Sequence, residues 1–392
     1  MRLQFTAIPP NVRLIKLKST KDFKPFGISA PDVPLILDRR TMRLEEPPTM
    51  WLIDTAVNRG RTRSPRTWDT YADNVLDWLR NCDENNWNYL DPVEGWLGAY
   101  CRHMLTSQTV DEAPFKTATI NLRLNTVCRF YLWLARNRYI DAYPFSAEEG
   151  EANSYLYRDE ALAHARSASI TPRRTATLPS KKSIPRAMNI AVLVKIRPLL
   201  PEREQLIFDW AIACGLRLSE ILAIRLIQLP NTRLVRNTLH IDITFTETKG
   251  LKPRTLAVPV RLVDRTRRYI DSSRASIALT TQESLNPYVF LAEPGRQVSR
   301  KTVHKIFRDS VKKIGLSLRF HDLRHTWAIH RLSELERNRL ADPNAIYIPI
   351  KVLQRELGHT YMSSTQIYLD AVGSDAGAAE SALNNLLDSV GS

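Results

Sequence analysis

Apolar residues recur at helical spacing in two long segments of the first half of the chain. The first follows Ser64-Pro65, a dipeptide typical of a helix start, and the second begins near residue 120. Their apolar stripes comprise Trp68, Tyr71, Ala72, Val75, Trp78 and Leu79, then Ile120, Leu124, Val127, Tyr131 and Leu134. We therefore predict a helical domain over residues 49–170. Residues 1–48 are punctuated by prolines, which favours an N-terminal extension or a small arm module.

A second apolar pattern surrounds a charged turn. Residues 202–214 read as an apolar helix that ends at Gly215, because glycine readily adopts the left-handed conformation after a helix. Ser219 is a candidate cap for the next helix. Arg217 is then predicted to project from the turn between the two helices.

Strict alternation marks one strand pair. Leu239, Ile241, Ile243 and Phe245 alternate with polar residues, which is the period of a half-buried strand. Residues 255–260 supply its partner after a turn at 248–253, which places Lys249 at the tip of a hairpin.

Further along, residues 299–314 read as a helix followed by Gly315, whereas residues 334–346 are polar and read as irregular. The predicted fold class is therefore mainly α (α+β), with a helical domain followed by a mixed domain that contains a small antiparallel sheet.

Residues 171–187 connect these two parts. They are rich in basic residues and proline and contain no acidic residue, so we predict an extended linker that neutralises phosphates. The candidate phosphate-contacting residues are Arg173, Arg174, Lys181, Lys182 and Arg186 in the linker, with Arg123 and Arg129 on the second predicted helix.

Composition supports a polyanionic partner. The chain has 392 residues, a formal net charge of +15 and a pI near 9.8, which is typical of nucleic-acid-binding proteins. No apolar stretch approaches the ~20 residues that span a membrane, and no secretory signal pattern begins the chain. We expect a cytoplasmic, nucleoid-associated protein without a membrane partner.

The four cysteines, Cys82, Cys101, Cys128 and Cys214, are widely spaced, so buried free thiols are expected rather than a metal site or disulfides.

An ordered set of polar residues predicts attack on a phosphodiester without a metal or other cofactor. Arg217 and Arg324 are the expected phosphate clamp, because a guanidinium holds two oxygens in a fixed fork. Tyr368 is the candidate nucleophile and His321 its candidate base. Lys249 is the candidate acid for the leaving 5′ oxygen, with Lys252 as its rival.

Simpler interpretations exist for single elements. Arg217 and Glu220 could form a surface ion pair of little energetic consequence. His321 and His325 are spaced like the histidines of the HExxH zinc motif, although the second position is Asp322 rather than glutamate. We therefore expect His325 to have a structural role. A zinc hydrolase would contain the metal and would lose its activity in a chelator.

Taken together, the motifs resemble those of the tyrosine recombinase (phage integrase) family. The resemblance rests on Cys-Gly-Leu-Arg-Leu-Ser-Glu at 214–220, Thr-Lys-Gly at 248–250, His-Asp-Leu-Arg-His at 321–325, and Leu-Gly-His at 357–359 nine residues before Tyr368. It implies a covalent 3′-phosphotyrosine intermediate and no divalent cation. The family's catalytic positions fall on Arg217, Lys249, His321, Arg324, His359 and Tyr368, with Glu220 supporting the first arginine.

The resemblance also implies an organisation and partners. Residues 49–170 would be a core-binding DNA domain, 188–375 the catalytic domain, and 376–392 a tail with a candidate helix that docks on a neighbouring subunit. The expected partners are double-stranded DNA with specific recombination sites, a homotetramer assembled on DNA from monomers or weak oligomers, and candidate accessory proteins. Two alternatives share this resemblance. A type IB topoisomerase would relax one plasmid instead of exchanging strands between sites, and a catalytically silent regulator would form no covalent adduct.

Overall fold

The computed structural model divides into two compact units, Met1–Lys181 and Lys182–Ser392. It describes residues 13–20, 22–58, 64–107, 113–141, 144, 147–148, 173–174, 178–179, 185, 187–232, 238–247, 253–279, 286–342, 344–369 and 371–372. The domain boundaries drawn from the sequence remain predictions.

Helices and short antiparallel strands make up the first unit. Its described elements are β1 (Leu14–Lys18), β2 (Pro34–Asp38), β3 (Arg43–Leu44), α1 (Glu46–Ile53), α2 (Pro65–Glu84), α3 (Trp96–Thr106), α4 (Thr117–Arg136), β4 (Ala147–Glu148) and β5 (Arg173–Arg174). Strands β1, β2 and β3 form one sheet, and β4 pairs with β5.

Both predicted helices are confirmed as α2 and α4, and their apolar stripes are buried except for Trp68 and Tyr71, which are partly buried. Trp78 and Tyr131 are fully buried, and the indole nitrogen of Trp78 donates a hydrogen bond to the Tyr131 hydroxyl at 3.1 Å. The proline-punctuated segment contributes to the same core, because Leu14 of β1 and Ile36 of β2 pack in it. Burying these apolar side chains is the main stabilisation of this unit.

The second unit is larger and contains the polar motifs. Its described elements are α5 (Ile190–Ile196), α6 (Glu202–Cys214), α7 (Leu218–Leu222), β6 (His240–Phe245), β7 (Arg254–Pro259), α8 (Val260–Tyr269), α9 (Ala275–Leu279), β8 (Leu291–Ala292), β9 (Arg296–Gln297), α10 (Arg300–Lys312), α11 (His321–Ala341), α12 (Pro349–Leu357) and α13 (Ser363–Gln366).

Two packed clusters position the polar motifs of this unit. In the larger cluster, α6 packs against α8 and the β6–β7 pair, with Trp210 fully buried and its indole nitrogen bonded to Thr266 at 3.1 Å. In the smaller cluster, α11 packs against α12 and encloses Tyr368. Trp327 of α11 connects the two, because its indole nitrogen donates to the Ala213 carbonyl at 3.1 Å.

The sequence-based fold class is confirmed: the chain is mainly helical with small antiparallel sheets. The predicted strand pair is present, with Ile243 opposite Leu256 and Phe245 opposite Arg254. The helix expected over 299–314 is α10, and Ser299 caps it by accepting from the Thr302 amide at 3.1 Å.

Two local predictions were wrong. Ser219 does not cap α7, because Arg217 itself is the N-cap and Glu220 closes the turn. Residues 334–341 are not irregular but complete α11, since Leu335 is buried and the polar side chains pair along the surface. These pairs include Arg331 with Glu334 and Arg339 with Glu336, each one helical turn apart.

Among the described residues, no helix is long and apolar enough to cross a membrane. All four cysteines are free and buried, as expected.

Candidate active site

A tight corner between α6 and α7 sets the position of Arg217. Gly215 ends α6 with φ +60°, and a Cβ there would lie 2.1 Å from a ring carbon of Trp327. Arg217 is then held at both ends by Glu220. Its backbone amide donates to Oε2 at 2.8 Å and its Nη1 donates to Oε1 at 2.9 Å. The side chain of Arg217 is 20% exposed, so it is in contact with solvent.

Glu220 lies at the centre of this corner and is buried, with 1% of its side chain exposed. Arg254, the first residue of β7, donates Nη1 to Oε1 at 3.1 Å and Nη2 to Oε2 at 2.6 Å. Burial alone would raise the pKa of Glu220, but the hydrogen bonds and charge of Arg254, followed by those of Arg217, lower it to about 2. Glu220 is therefore a carboxylate at neutral pH.

Arg324 lies in the first turn of α11. Together, Arg217, Arg254 and Arg324 form an arginine corner around Glu220. Arg324 is 2% exposed, and it donates Nη1 to the Gly215 carbonyl at 2.5 Å and Nη2 to the Leu357 carbonyl at 2.6 Å. Its Nη1 also lies 3.9 Å from the Glu220 carboxylate. Burial and the nearby Arg217 lower the pKa of Arg324 to about 9, so the group still carries its charge at neutral pH.

His359 follows the end of α12. Gly358 adopts φ +62° there, a left-handed conformation that glycine takes without strain, and a Cβ would lie 2.8 Å from Nη1 of Arg254. Nε2 of His359 lies 3.3 Å from Nη2 of Arg324, and Nδ1 lies 3.0 Å from the Thr365 hydroxyl. Because a guanidinium can only donate, Nε2 accepts and the ring proton sits on Nδ1. Burial and then the charge of Arg324 lower the pKa of His359 to about 3, which keeps the ring neutral.

Tyr368 lies between His359 and α11. It is 2% exposed, its ring is stacked on His359 with centroids 6.5 Å apart, and its hydroxyl lies 3.0 Å from Nδ1 of His325. Burial raises the pKa of Tyr368, while the charges of Arg324 and Arg217 oppose that rise. The phenol is therefore protonated at neutral pH and needs a proton acceptor in order to attack.

His321 begins α11 beside His325, with ring centroids 4.7 Å apart and planes at 78°. Although His321 is accessible to solvent, the protein packed around its ring lowers its pKa to about 4, and His325, Arg324 and Arg217 act in the same direction. His321 is thus neutral and faces outward at the edge of the site.

The remaining predicted residues lie elsewhere or outside the described residues. Lys249 and Lys252 belong to the undescribed tip between β6 and β7, and Lys181, Lys182 and Arg186 are also outside. Arg173 and Arg174 form β5, which pairs with β4.

The two predicted DNA-contacting arginines of α4 both have protein partners. Arg123 donates to Asp77 at 2.6 Å and lies over the Phe115 ring. Arg129 donates to the Tyr71 hydroxyl at 2.7 Å and is exposed.

The sequence did not lead us to place Arg254 in the site, nor to predict the contact between His325 and Tyr368. Arg254 alternates in phase with the buried Leu256 and Val258, so its inward direction was readable from the strand pattern. The contact of His325 with Tyr368 spans 43 residues, and no local pattern marks it. Within the described ranges, no group of three or more His, Cys, Asp or Glu side chains is placed to hold a metal ion.

Comparisons with known proteins show which sequences and folds this chain resembles. The phage integrase family matches residues 182–373 of the chain. The tyrosine recombinase XerC of Halalkalibacterium halodurans is 27% identical over 273 residues, covering 69% of this chain and 76% of that protein. The tyrosine recombinase XerD of Lacticaseibacillus casei is 25% identical over 314 residues, covering 80% of this chain and 89% of that protein.

Two solved structures share the fold. The XerH site-specific recombinase bound to palindromic difH substrate in a post-cleavage complex has a TM-score of 0.55 and 12% identity, covering 86% of this chain and 83% of that chain. A lambda integrase dimer bound to a COC′ core site has a TM-score of 0.50 and 14% identity, covering 83% of this chain and 95% of that chain. At such identities the likeness concerns the fold.

Proposed function

This chain belongs to the tyrosine recombinase (phage integrase) family, and from that premise we propose that it is a site-specific DNA recombinase with a covalent 3′-phosphotyrosine intermediate. The proposal extends to a homotetramer assembled on duplex DNA that carries specific recombination sites, with accessory proteins as further partners. The observation that carries it is the convergence of Arg217, Arg324, His359 and Tyr368, which come from four separate segments, onto one corner of the second unit.

The charge of this corner suits a phosphodiester. The three guanidiniums of Arg217, Arg254 and Arg324 surround the single carboxylate of Glu220, which leaves an excess of positive charge among the described residues there. Phosphoryl transfer places negative charge on the non-bridging oxygens, and preorganised donors stabilise it without reorganisation. Glu220 fixes Arg217 and Arg254 rather than neutralising the corner.

In the proposed reaction, the phenolic oxygen of Tyr368 gives up its proton to a neighbouring histidine and bonds to phosphorus, and the bond from phosphorus to the 5′ oxygen breaks. The 5′ oxygen leaves with a proton from Lys249, and the guanidiniums of Arg217 and Arg324 hold the non-bridging oxygens. His359 keeps Arg324 and Tyr368 in register through its hydrogen bond and its stacked ring. Rejoining reverses these steps with a 5′ hydroxyl as the nucleophile.

A basic helix next to the site supports a DNA partner. Phe307 of α10 packs edge-on against Phe320, the residue before His321, with centroids 5.4 Å apart. The exposed face of α10 carries Arg300, Lys301, Lys305, Arg308 and Lys312. Such a face neutralises phosphates regardless of sequence. We propose that it acts together with Arg129 and the basic linker when DNA is bound.

The test is a nicked suicide substrate, from which a short 5′-hydroxyl fragment diffuses away after cleavage. We expect the wild-type chain to accumulate a denaturation-resistant adduct through a 3′ phosphate, without added magnesium. Tyr368→Phe removes one oxygen from a ring of nearly unchanged volume, so it should bind DNA and form no adduct. Tyr361→Phe is the matched control, because Tyr361 is 57% exposed and outside the site. An adduct in Tyr368→Phe, or one mapped to another residue, contradicts the proposal.

A further inference from the structure

The hydroxyl of Tyr368 is bonded to His325 and not to the histidine expected from the motif. Nδ1 of His325 lies 3.0 Å from that hydroxyl, whereas His321 packs edge-on against His325 and opens to solvent. A candidate base must lie within hydrogen-bond reach of the proton that it removes, at about 2.6–3.2 Å. His325 meets this requirement.

The surroundings of His325 favour its neutral form, which can accept a proton. Its ring is partly buried, and burial lowers the pKa of His325 below its usual value. The groups that face it are His321, Asp322 and Arg324 on α11, Arg319 before that helix, and Tyr368 from the opposite side. Asp322 opposes the lowering, and the two arginines reinforce it. With the phenol as donor, Nδ1 is the acceptor and the ring proton sits on Nε2.

His325 lies next to Arg324, a member of the proposed phosphate clamp, on the same helix. His325 directly follows Arg324 in the first turns of α11, so the two side chains leave the same rigid backbone in different directions. Arg324 reaches the Gly215 carbonyl and His325 reaches Tyr368. Fixing both groups on one helix holds the nucleophile at a constant distance from the clamp, which favours reaction.

We propose that His325 is the proton acceptor for Tyr368 in strand cleavage, an inference that rests on the proposed function. As the phenolic oxygen bonds to phosphorus, its proton passes to Nδ1 of His325, and the departing 5′ oxygen takes a proton from a different group. In rejoining, the imidazolium returns the proton to the phenolic oxygen. No further reactant is required.

The contrasting role is a purely structural one, in which His325 only holds the phenol in place. His325→Asn separates the two, because its side-chain oxygen can take the place of Nδ1 as a hydrogen-bond acceptor but a carboxamide takes up no proton at neutral pH. His325→Ala removes both functions, and His321→Asn is the matched substitution at the neighbouring histidine.

The measurement is single-turnover cleavage of a substrate with sulfur at the 5′ bridging position, which leaves without an acid and therefore reports the attack step alone. We expect His325→Asn and His325→Ala to slow cleavage by about 10²-fold or more, the usual contribution of a general base. The pH profile should change as well. The wild-type rate should be flat between about pH 7 and 9, because His325 is already neutral there. The His325 variants should instead rise about tenfold per pH unit, because attack then depends on ionisation of the phenol itself.

A structural role would leave the rate of His325→Asn within about threefold of wild type and its pH profile flat, and that result overturns the inference. A rising profile in His321→Asn with a flat one in His325→Asn also overturns it, in favour of His321. DNA binding and thermal unfolding identify variants that fail to fold. Failure of the proposed function is distinct, because the wild-type chain would then form no adduct on Tyr368.

Discussion

Arg254→Gln tests whether the arginine corner depends on a buried ion pair. The substitution removes the forked donor of Glu220, whose side chain is 1% exposed. Glu220 keeps the two hydrogen bonds from Arg217, at 2.8 and 2.9 Å, and the more distant Arg324. The pKa of Glu220 falls from its usual 4.5 to about 2 in the folded chain. That depression corresponds to about 3 kcal/mol of stability at neutral pH. Breaking a buried pair by removing one partner costs a similar ~3–5 kcal/mol.

The pH dependence has a definite sign. Because the folded pKa of Glu220 lies below the unfolded one, its stabilisation is complete above pH 4.5 and is lost as the pH falls toward about 2. In Arg254→Gln, burial is no longer fully opposed, so the pKa of Glu220 rises and the same carboxylate contributes less. We therefore expect the variant to be less stable at neutral pH and to lose less additional stability on acidification.

Urea unfolding of the full-length chain, followed by tryptophan fluorescence across a pH series, measures both effects. Arg339→Gln is the control, because the Arg339–Glu336 pair is 46% and 33% exposed and such surface pairs contribute below about 1 kcal/mol. If Arg254→Gln costs no more than this control and keeps the wild-type slope below pH 4.5, Glu220 is not stabilised by Arg254 and the reasoning fails.

Three further outcomes are expected. Gly215→Ala should destabilise the chain by roughly 2–5 kcal/mol in thermal unfolding, since it combines left-handed strain with a Cβ 2.1 Å from the Trp327 ring. Gly315→Ala has a similar φ of +72° but nothing within 4 Å, so its cost should be only the ~1–2 kcal/mol of strain, and equal losses would argue against the clash. Lys249→Ala should regain cleavage on a 5′-bridging sulfur substrate, whereas rescue of Lys252→Ala alone would move the acid role. DNA binding should weaken with salt at a log-log slope of about −0.9 per phosphate neutralised, and a flat response would contradict the basic surfaces.

Local patterns predicted those parts of the molecule that local interactions determine. The helix ending at Gly215 and the strand pair around Ile243 follow from apolar period and turn chemistry, and both are present. The last turns of α11 were predicted to be irregular because their residues are polar. In the structure, these polar residues form surface ion pairs such as Arg339 with Glu336. Ion pairing between side chains one turn apart can sustain a helix that shows no apolar stripe there.

The sequence motifs name several residues that the fold brings together, but they do not predict the contacts between them. The motifs indicated Arg324 and Tyr368, yet only the fold reveals that Arg254 holds Glu220 and that His325 reaches Tyr368. Such contacts join segments tens of residues apart, and a period of two or 3.6 residues carries no information about them. A charged residue at an inward-facing strand position, such as Arg254, indicates that a buried partner exists. It does not identify which residue the partner is.

The length of α11 has an electrostatic consequence of its own. Aligned peptide dipoles give a helix the equivalent of about half a positive charge at its first turn. The 21 residues of α11 begin at His321, so this fractional charge falls on the turn that carries Arg324. Under the proposed function, part of the attraction for a phosphate would therefore belong to the backbone, and no side-chain substitution would remove it. A variant that loses one guanidinium therefore reports only the contribution of that side chain's hydrogen bonds and charge. The contribution of the helix dipole remains as long as the helix is intact.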